Sequence, residues 1–189
     1  MDVPLPGDAL TAAPAAPAAM LFGKLPSHGD FIARGLDPAR RQALDEWLAS
    51  ALAEAQDVHG DTFEPRYDSA PAWRFAWEES EGWLAGAMAP SMDSVGRRFP
   101  ILVAAHTGER SAAAGLAQAC EDAIYQAFAR GLDADALHAG LIALAEEARA
   151  PKPLPGWWTA GNDAFPAARL EGERPQGLFA MMLGAGEQA

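Results

Sequence analysis

Phe99-Pro100-Ile101-Leu102-Val103-Ala104-Ala105 is the stretch on which the fold turns. It is a near-continuous apolar run of strand length. An unbroken run suits a central strand covered on both faces better than an edge strand, which would alternate apolar and polar residues.

Upstream, Trp73 to Trp77 alternates large aromatics with Arg74 and Ala76, as a half-buried strand does, and Trp83 to Met88 is a second run. The Glu-, Ser- and Gly-containing turn between them makes a hairpin the simplest connection. Further back, Met20, Leu21 and Phe22 form a short strand closed by Gly23 and Pro26. Asp37-Pro38 reads as a helix start, an acceptor side chain at the N-cap followed by a ring that presets the first helical φ. Leu44, Trp47, Leu48, Ala51 and Leu52 then mark one apolar face through about Glu54. From Gly60 to Ala72 neither period is visible, and a surface loop is expected.

Downstream, Leu116, Cys120, Ala123, Ile124, Ala127 and Phe128 give a helix that stops where Gly131 offers a left-handed cap. A second helix runs from Asp133 or Ala134 to Arg149, with Leu137, Leu141, Leu144 and Ala148 inward and Pro151 as its stop. Trp157 and Trp158 open a short strand after the proline-rich step, and Leu178 to Leu183 reads as another. Neighbouring strand residues point to opposite faces, so one of the two tryptophans is expected at the surface. Strands precede and follow the helices, and the hairpin argues against a purely parallel sheet. The expected class is α/β: one domain with a central mixed, partly antiparallel sheet and helices packed against it.

A chain of 189 residues fits one domain. Residues 1–19 are Ala- and Pro-rich, lack Lys and Arg, and read as a disordered tail, neither signal nor transit peptide; 20–189 is the domain. No apolar stretch of the roughly 18 residues that a membrane-spanning helix needs runs without a charge, Gly or Pro, so no membrane insertion is expected. The single cysteine, Cys120, permits no internal disulfide, and a cytoplasmic location is the default. A formal net charge of -12 with scattered Lys and Arg disfavours nucleic acid and favours basic surfaces on a protein partner.

Two clusters could carry chemistry. Pro26-Ser27-His28-Gly29-Asp30-Phe31, with Arg34 beyond, holds a hydroxyl, an imidazole and a carboxylate, but side chains this close in sequence rarely form a triad. Ala89-Pro90-Ser91-Met92-Asp93-Ser94-Val95-Gly96-Arg97-Arg98-Phe99-Pro100 places Asp93 beside two arginines, where an internal ion pair is the reading preferred to an anion site. No phosphate loop, nucleophile elbow or His/Cys ligand spacing is present, so neither cofactor nor metal is expected. Cys120 lies on an apolar helix face and reads as core.

Taken in order, Phe22-Gly23-Lys24-Leu25-Pro26-Ser27-His28-Gly29-Asp30-Phe31, Arg34, Leu44-Asp45-Glu46-Trp47-Leu48, Pro71-Ala72-Trp73-Arg74-Phe75, Gly86, Pro90-Ser91-Met92-Asp93, Val95-Gly96-Arg97 and Phe99-Pro100 resemble the TagF (ImpM) family of type VI secretion regulators. The succession covers about residues 20 to 106. The resemblance implies a non-enzymatic cytoplasmic protein that post-translationally restrains the secretion machine, its partner a forkhead-associated scaffold protein. Some members carry an additional phosphatase domain, for which this length leaves no room. On this reading Ser27, His28, Asp30, Arg34, Ser91, Asp93 and Arg97 form the partner-binding surface. The alternative is a serine hydrolase using Ser91 or Ser27 with His106 or His28, which requires a serine and a histidine within hydrogen-bond reach.

Overall fold

The computed structural model describes residues 18–80, 82–147 and 155–184. Seven strands, β1 (Ala19–Gly23), β2 (Ile32–Arg34), β3 (Trp73–Glu79), β4 (Gly82–Ala89), β5 (Ile101–Thr107), β6 (Gly156–Thr159) and β7 (Ala168–Leu170), form one sheet in the order β2-β1-β5-β4-β3-β6-β7. The apolar run that opened the reading is β5. It lies between β1 and β4, with Ile101 to Ala105 all buried. Alternation along it divides the core: Ile101, Val103 and Ala105 face one layer, Leu102 and Ala104 the other.

The first layer is α3 (Arg110–Arg130) and α4 (Ala134–Glu147), joined as the expected helical hairpin. Gly131 caps α3 at φ 63, and the Ala136 amide donates to Asp133 Oδ1 at 2.8 Å, so both predicted boundary residues cap as expected. Cys120 is buried in this layer, where burial pushes its thiol pKa up to about 12. The second layer is α1 (Pro38–His59), α2 (Phe63–Ser69) and α5 (Leu178–Gly184). Asp37 caps α1 through Oδ1, which accepts from the Arg40 amide at 2.9 Å. Asp37→Ala is expected to cost about 1 kcal/mol, measured as a lower urea midpoint with unchanged slope.

The α/β class holds, with one difference in the sheet: every strand pairing is antiparallel, where a mixed sheet was expected. The reason lies in the connections. A parallel neighbour needs a crossover of about a dozen residues or more, usually helical, whereas β4 reaches β5 through a loop alone and β3 reaches β4 by the predicted hairpin.

The expected loop at 60–72 contains a 3₁₀ turn, Gly60–Thr62, and the helix α2, whose buried Phe63 and Tyr67 stand four residues apart on one face. Pro65 sits in its first turn, where a missing N–H costs nothing. Leu178 to Leu183 is helical, not extended. Leu178, Phe179, Met182 and Leu183 are buried together, and α5 packs on α1. Short apolar runs carry no period that separates the two states. Trp157 is fully buried and Trp158 half-buried against the α3 layer, so neither is the exposed tryptophan expected, because both faces of β6 are covered. The first strand starts at Ala19, one residue before the predicted Met20. Residues 1–17 of the predicted tail and the end of the second helix, from Ala148, lie outside the described residues.

Candidate functional site

Both sequence clusters come together at the sheet end formed by Gly23 and Ile101. Gly23 adopts φ 134, and a Cβ there would stand 2.0 Å from the Pro100 carbonyl oxygen, so only glycine lets the chain leave β1 this tightly. The Lys24 carbonyl then accepts from Ser91 Oγ at 2.8 Å. Tyr67 Oη donates to the Ser91 carbonyl at 3.2 Å and accepts from the Ser91 amide at 3.1 Å, fixing α2 to the second loop. The two loops meet through the Ser94 amide, which donates to the His28 carbonyl at 2.8 Å, and Arg97 Nη2, which donates to the Gly29 carbonyl at 2.7 Å.

At the centre is Asp93, only 2% exposed. Its Oδ1 accepts from the amides of Val95 at 3.1 Å and Arg97 at 2.9 Å; its Oδ2 accepts from Lys24 Nζ at 2.9 Å and Arg97 Nε at 2.7 Å. Burial works to raise its pKa, but the four donors, led by the Arg97 amide and the Lys24 ammonium, outweigh it and hold the carboxyl well below the usual range. Lys24 is itself buried, with its ammonium 4.9 Å from the centre of the Phe31 ring. The predicted Asp93–Arg97 ion pair is present. Arg98 instead bonds Asp68 bidentately, both contacts at 2.8 Å, and reaches Glu64 at 3.1 Å.

The depressed carboxyl pKa values fix a pH dependence. The unfolded chain titrates its carboxylates near ~4, and Asp93 stays ionised to lower pH in the fold. Its stabilisation is therefore complete above that value and is lost as pH falls below it toward the folded pKa. Glu79, held down by His106 and Arg40 against its own burial, and Asp68, held down by Arg98, have the same sign. Thermal midpoints measured against pH are expected to fall below about pH 4, and less steeply in Asp93→Asn.

The seven residues expected at a docking surface divide. Ser27, Asp30 and Arg97 reach solvent, and His28 and Arg34 are partly covered. Ser91 and Asp93 are buried and bonded internally, so they hold the loops in place. Ser27 Oγ donates to the Leu132 carbonyl at 2.8 Å and Arg34 Nε to Asp135 at 2.6 Å, tying the first loop to the start of α4. Two residues that sequence reading passed over stand out on this face. Val95, at the tip of the second loop, is 71% exposed, and Phe31, stacked edge-on to Phe99 at 4.7 Å, is 39% exposed. Beside them opens a cleft of about 640 Å³ between the second loop, the end of α2 and α3.

Ser91 and His106 stand apart in the sheet, whereas Ser27 and His28 are neighbours. Ser91 lies just beyond Ala89, which pairs with Ile101, whereas His106 pairs with Leu84 at the other end of β5 and bonds Glu79 at 2.9 Å. Ser27 Oγ and His28 Nδ1 are 3.0 Å apart, and Ser27 Oγ donates to the Leu132 carbonyl at 2.8 Å.

Comparison with solved structures finds the crystal structure of PA0076 from Pseudomonas aeruginosa PAO1, at a TM-score of 0.67 and 24% identity, covering 90% of this chain and 96% of that one. Likeness at that identity speaks of the fold. No curated protein matches the chain significantly. The model of the TagF N-terminal domain, type VI secretion system-associated, matches residues 20–144, from β1 into the body of α4. That match spans more than half of the 189 residues, and the chain belongs to the TagF N-terminal domain family.

Proposed function

We propose that this chain is a non-enzymatic, cytoplasmic, post-translational negative regulator of a type VI secretion system. It acts by binding a secretion component, the forkhead-associated scaffold protein that the family resemblance implies. Family membership supplies the system. The observation that supports binding is how the family-pattern residues are used: Lys24, Ser91, Asp93 and Arg97 are bonded to one another's loops, and what this framework turns outward is Val95, Phe31 and Asp30. A pair of loops braced from below by a buried ion pair is a preorganised contact surface, which lowers the ordering cost of association. The use of Ser91 Oγ and Ser27 Oγ as donors to the Lys24 and Leu132 carbonyls supports binding over hydrolysis.

The test is secretion output in cells. Overproducing the chain is expected to reduce release of type VI substrates, and overproducing a folded variant with Val95 and Phe31 both changed to Ser is expected not to. Equal repression by both proteins would place the contact elsewhere; output unchanged by either would count against a repressor.

A further inference from the structure

The cleft beside the loops has chemistry of its own. One wall is aromatic: Tyr125, 44% exposed, packs edge-on to Phe128 at 6.4 Å, and its hydroxyl accepts from the Ala72 amide at 3.2 Å, which fixes the ring. Pro26 and Met92 also line it. The charged lining is acidic. Asp68 and Asp93 are the charged residues that line the cleft among the described residues, and the charge of the buried Asp93 is taken up by Lys24 and Arg97. Asp68 is the carboxylate that solvent reaches, its side chain 42% exposed. It shares the single guanidinium of Arg98 with Glu64, so two carboxylates face one cation and the rim keeps negative charge.

We propose that this cleft takes an extended segment of a partner protein, with an apolar side chain entering between Tyr125, Phe128 and Met92 and a neighbouring Lys or Arg meeting the Asp68 carboxylate. The inference rests on the reading of the chain as a binding regulator and adds the chemistry of what it binds. Rigid aromatic walls supply apolar contact at low entropic cost. The acidic rim selects a cation and steers it, in keeping with the overall charge of -12.

The test is a random linear-peptide phage library panned on the full chain, with enriched peptides synthesised and titrated by fluorescence polarisation. Enriched peptides are expected to carry an apolar residue beside Lys or Arg. Their binding is expected to weaken with added salt and to fall about tenfold in Asp68→Asn, which keeps an acceptor for Arg98 but removes the charge. No enrichment, peptides without a basic residue, or affinity unchanged in Asp68→Asn would each overturn the proposal. Val95→Glu separates it from the regulatory reading. If that change weakens the secretion partner while Asp68→Asn alters neither peptide nor partner binding, the cleft is wrong and the regulator stands; no partner binding by the unaltered chain, with peptide binding intact and lost in Asp68→Asn, removes the regulator and leaves the cleft.

Discussion

Asp93→Ala is expected to be the most damaging single substitution in the two loops, lowering the thermal midpoint by about 10 °C. The carboxylate is enclosed and accepts four hydrogen bonds, two from amides and two from cations. Removing it leaves the Lys24 ammonium, on a side chain 7% exposed, without its ionic partner, and a buried unpaired charge costs more than the pair itself contributes. The substitutions should therefore rank. Asp93→Asn keeps an acceptor and loses the charge, so its loss is smaller. Lys24→Met removes the second buried charge and leaves Asp93 with Arg97 and two amides, and should be milder than Asp93→Ala. Differential scanning calorimetry of the three variants reads this order; an Asp93→Ala midpoint equal to wild type would mean that the ion pair does not brace the loops.

Val95→Glu should have the opposite profile, with the fold intact and partner binding weakened at least about tenfold. Val95 is exposed, and it bonds Asp93 through its backbone amide, so a longer side chain there disturbs no packing in the free chain. In a complex the same position would place a carboxylate in an apolar contact, where a desolvated charge without a partner is costly. The midpoint should move by no more than the few tenths of a kcal/mol typical of surface changes. Asp93→Ala and Val95→Glu together distinguish residues that hold the surface from residues that form it.

Where the sequence was legible, a strong local rule governed. Ile101 to Ala105 reads as a covered strand, Asp37-Pro38 and Gly131 mark helix ends by the chemistry of caps, and Asp93 with Arg97 reads as an ion pair. The α2 helix was missed because Gly60 and Pro65 signal a loop, and the i, i+4 pair Phe63 and Tyr67 is too short a pattern to outweigh them. Leu178 to Leu183 was misread because six apolar residues in a row have no period. The strands β2 and β7, at three residues each, leave even less to read.

The site divided along the same line. That the segments around Ser27 and Ser91 matter was visible in their composition, but which residues bear the scaffold and which face outward depends on contacts between positions about 70 residues apart. Lys24 is the clearest case: a lysine after an apolar strand gives no sign of burial until Asp93 is found within 2.9 Å. The exposure of Val95 is equally nonlocal, since it follows from Asp93 anchoring the turn beneath it.

The most direct test of the binding reading is calorimetric titration of the full chain with the forkhead-associated protein of the same secretion system, wild type against Val95→Glu. A saturable, stoichiometric heat that weakens at least about tenfold in the variant is the predicted result; no heat with a folded partner, or equal affinity for both proteins, would contradict it.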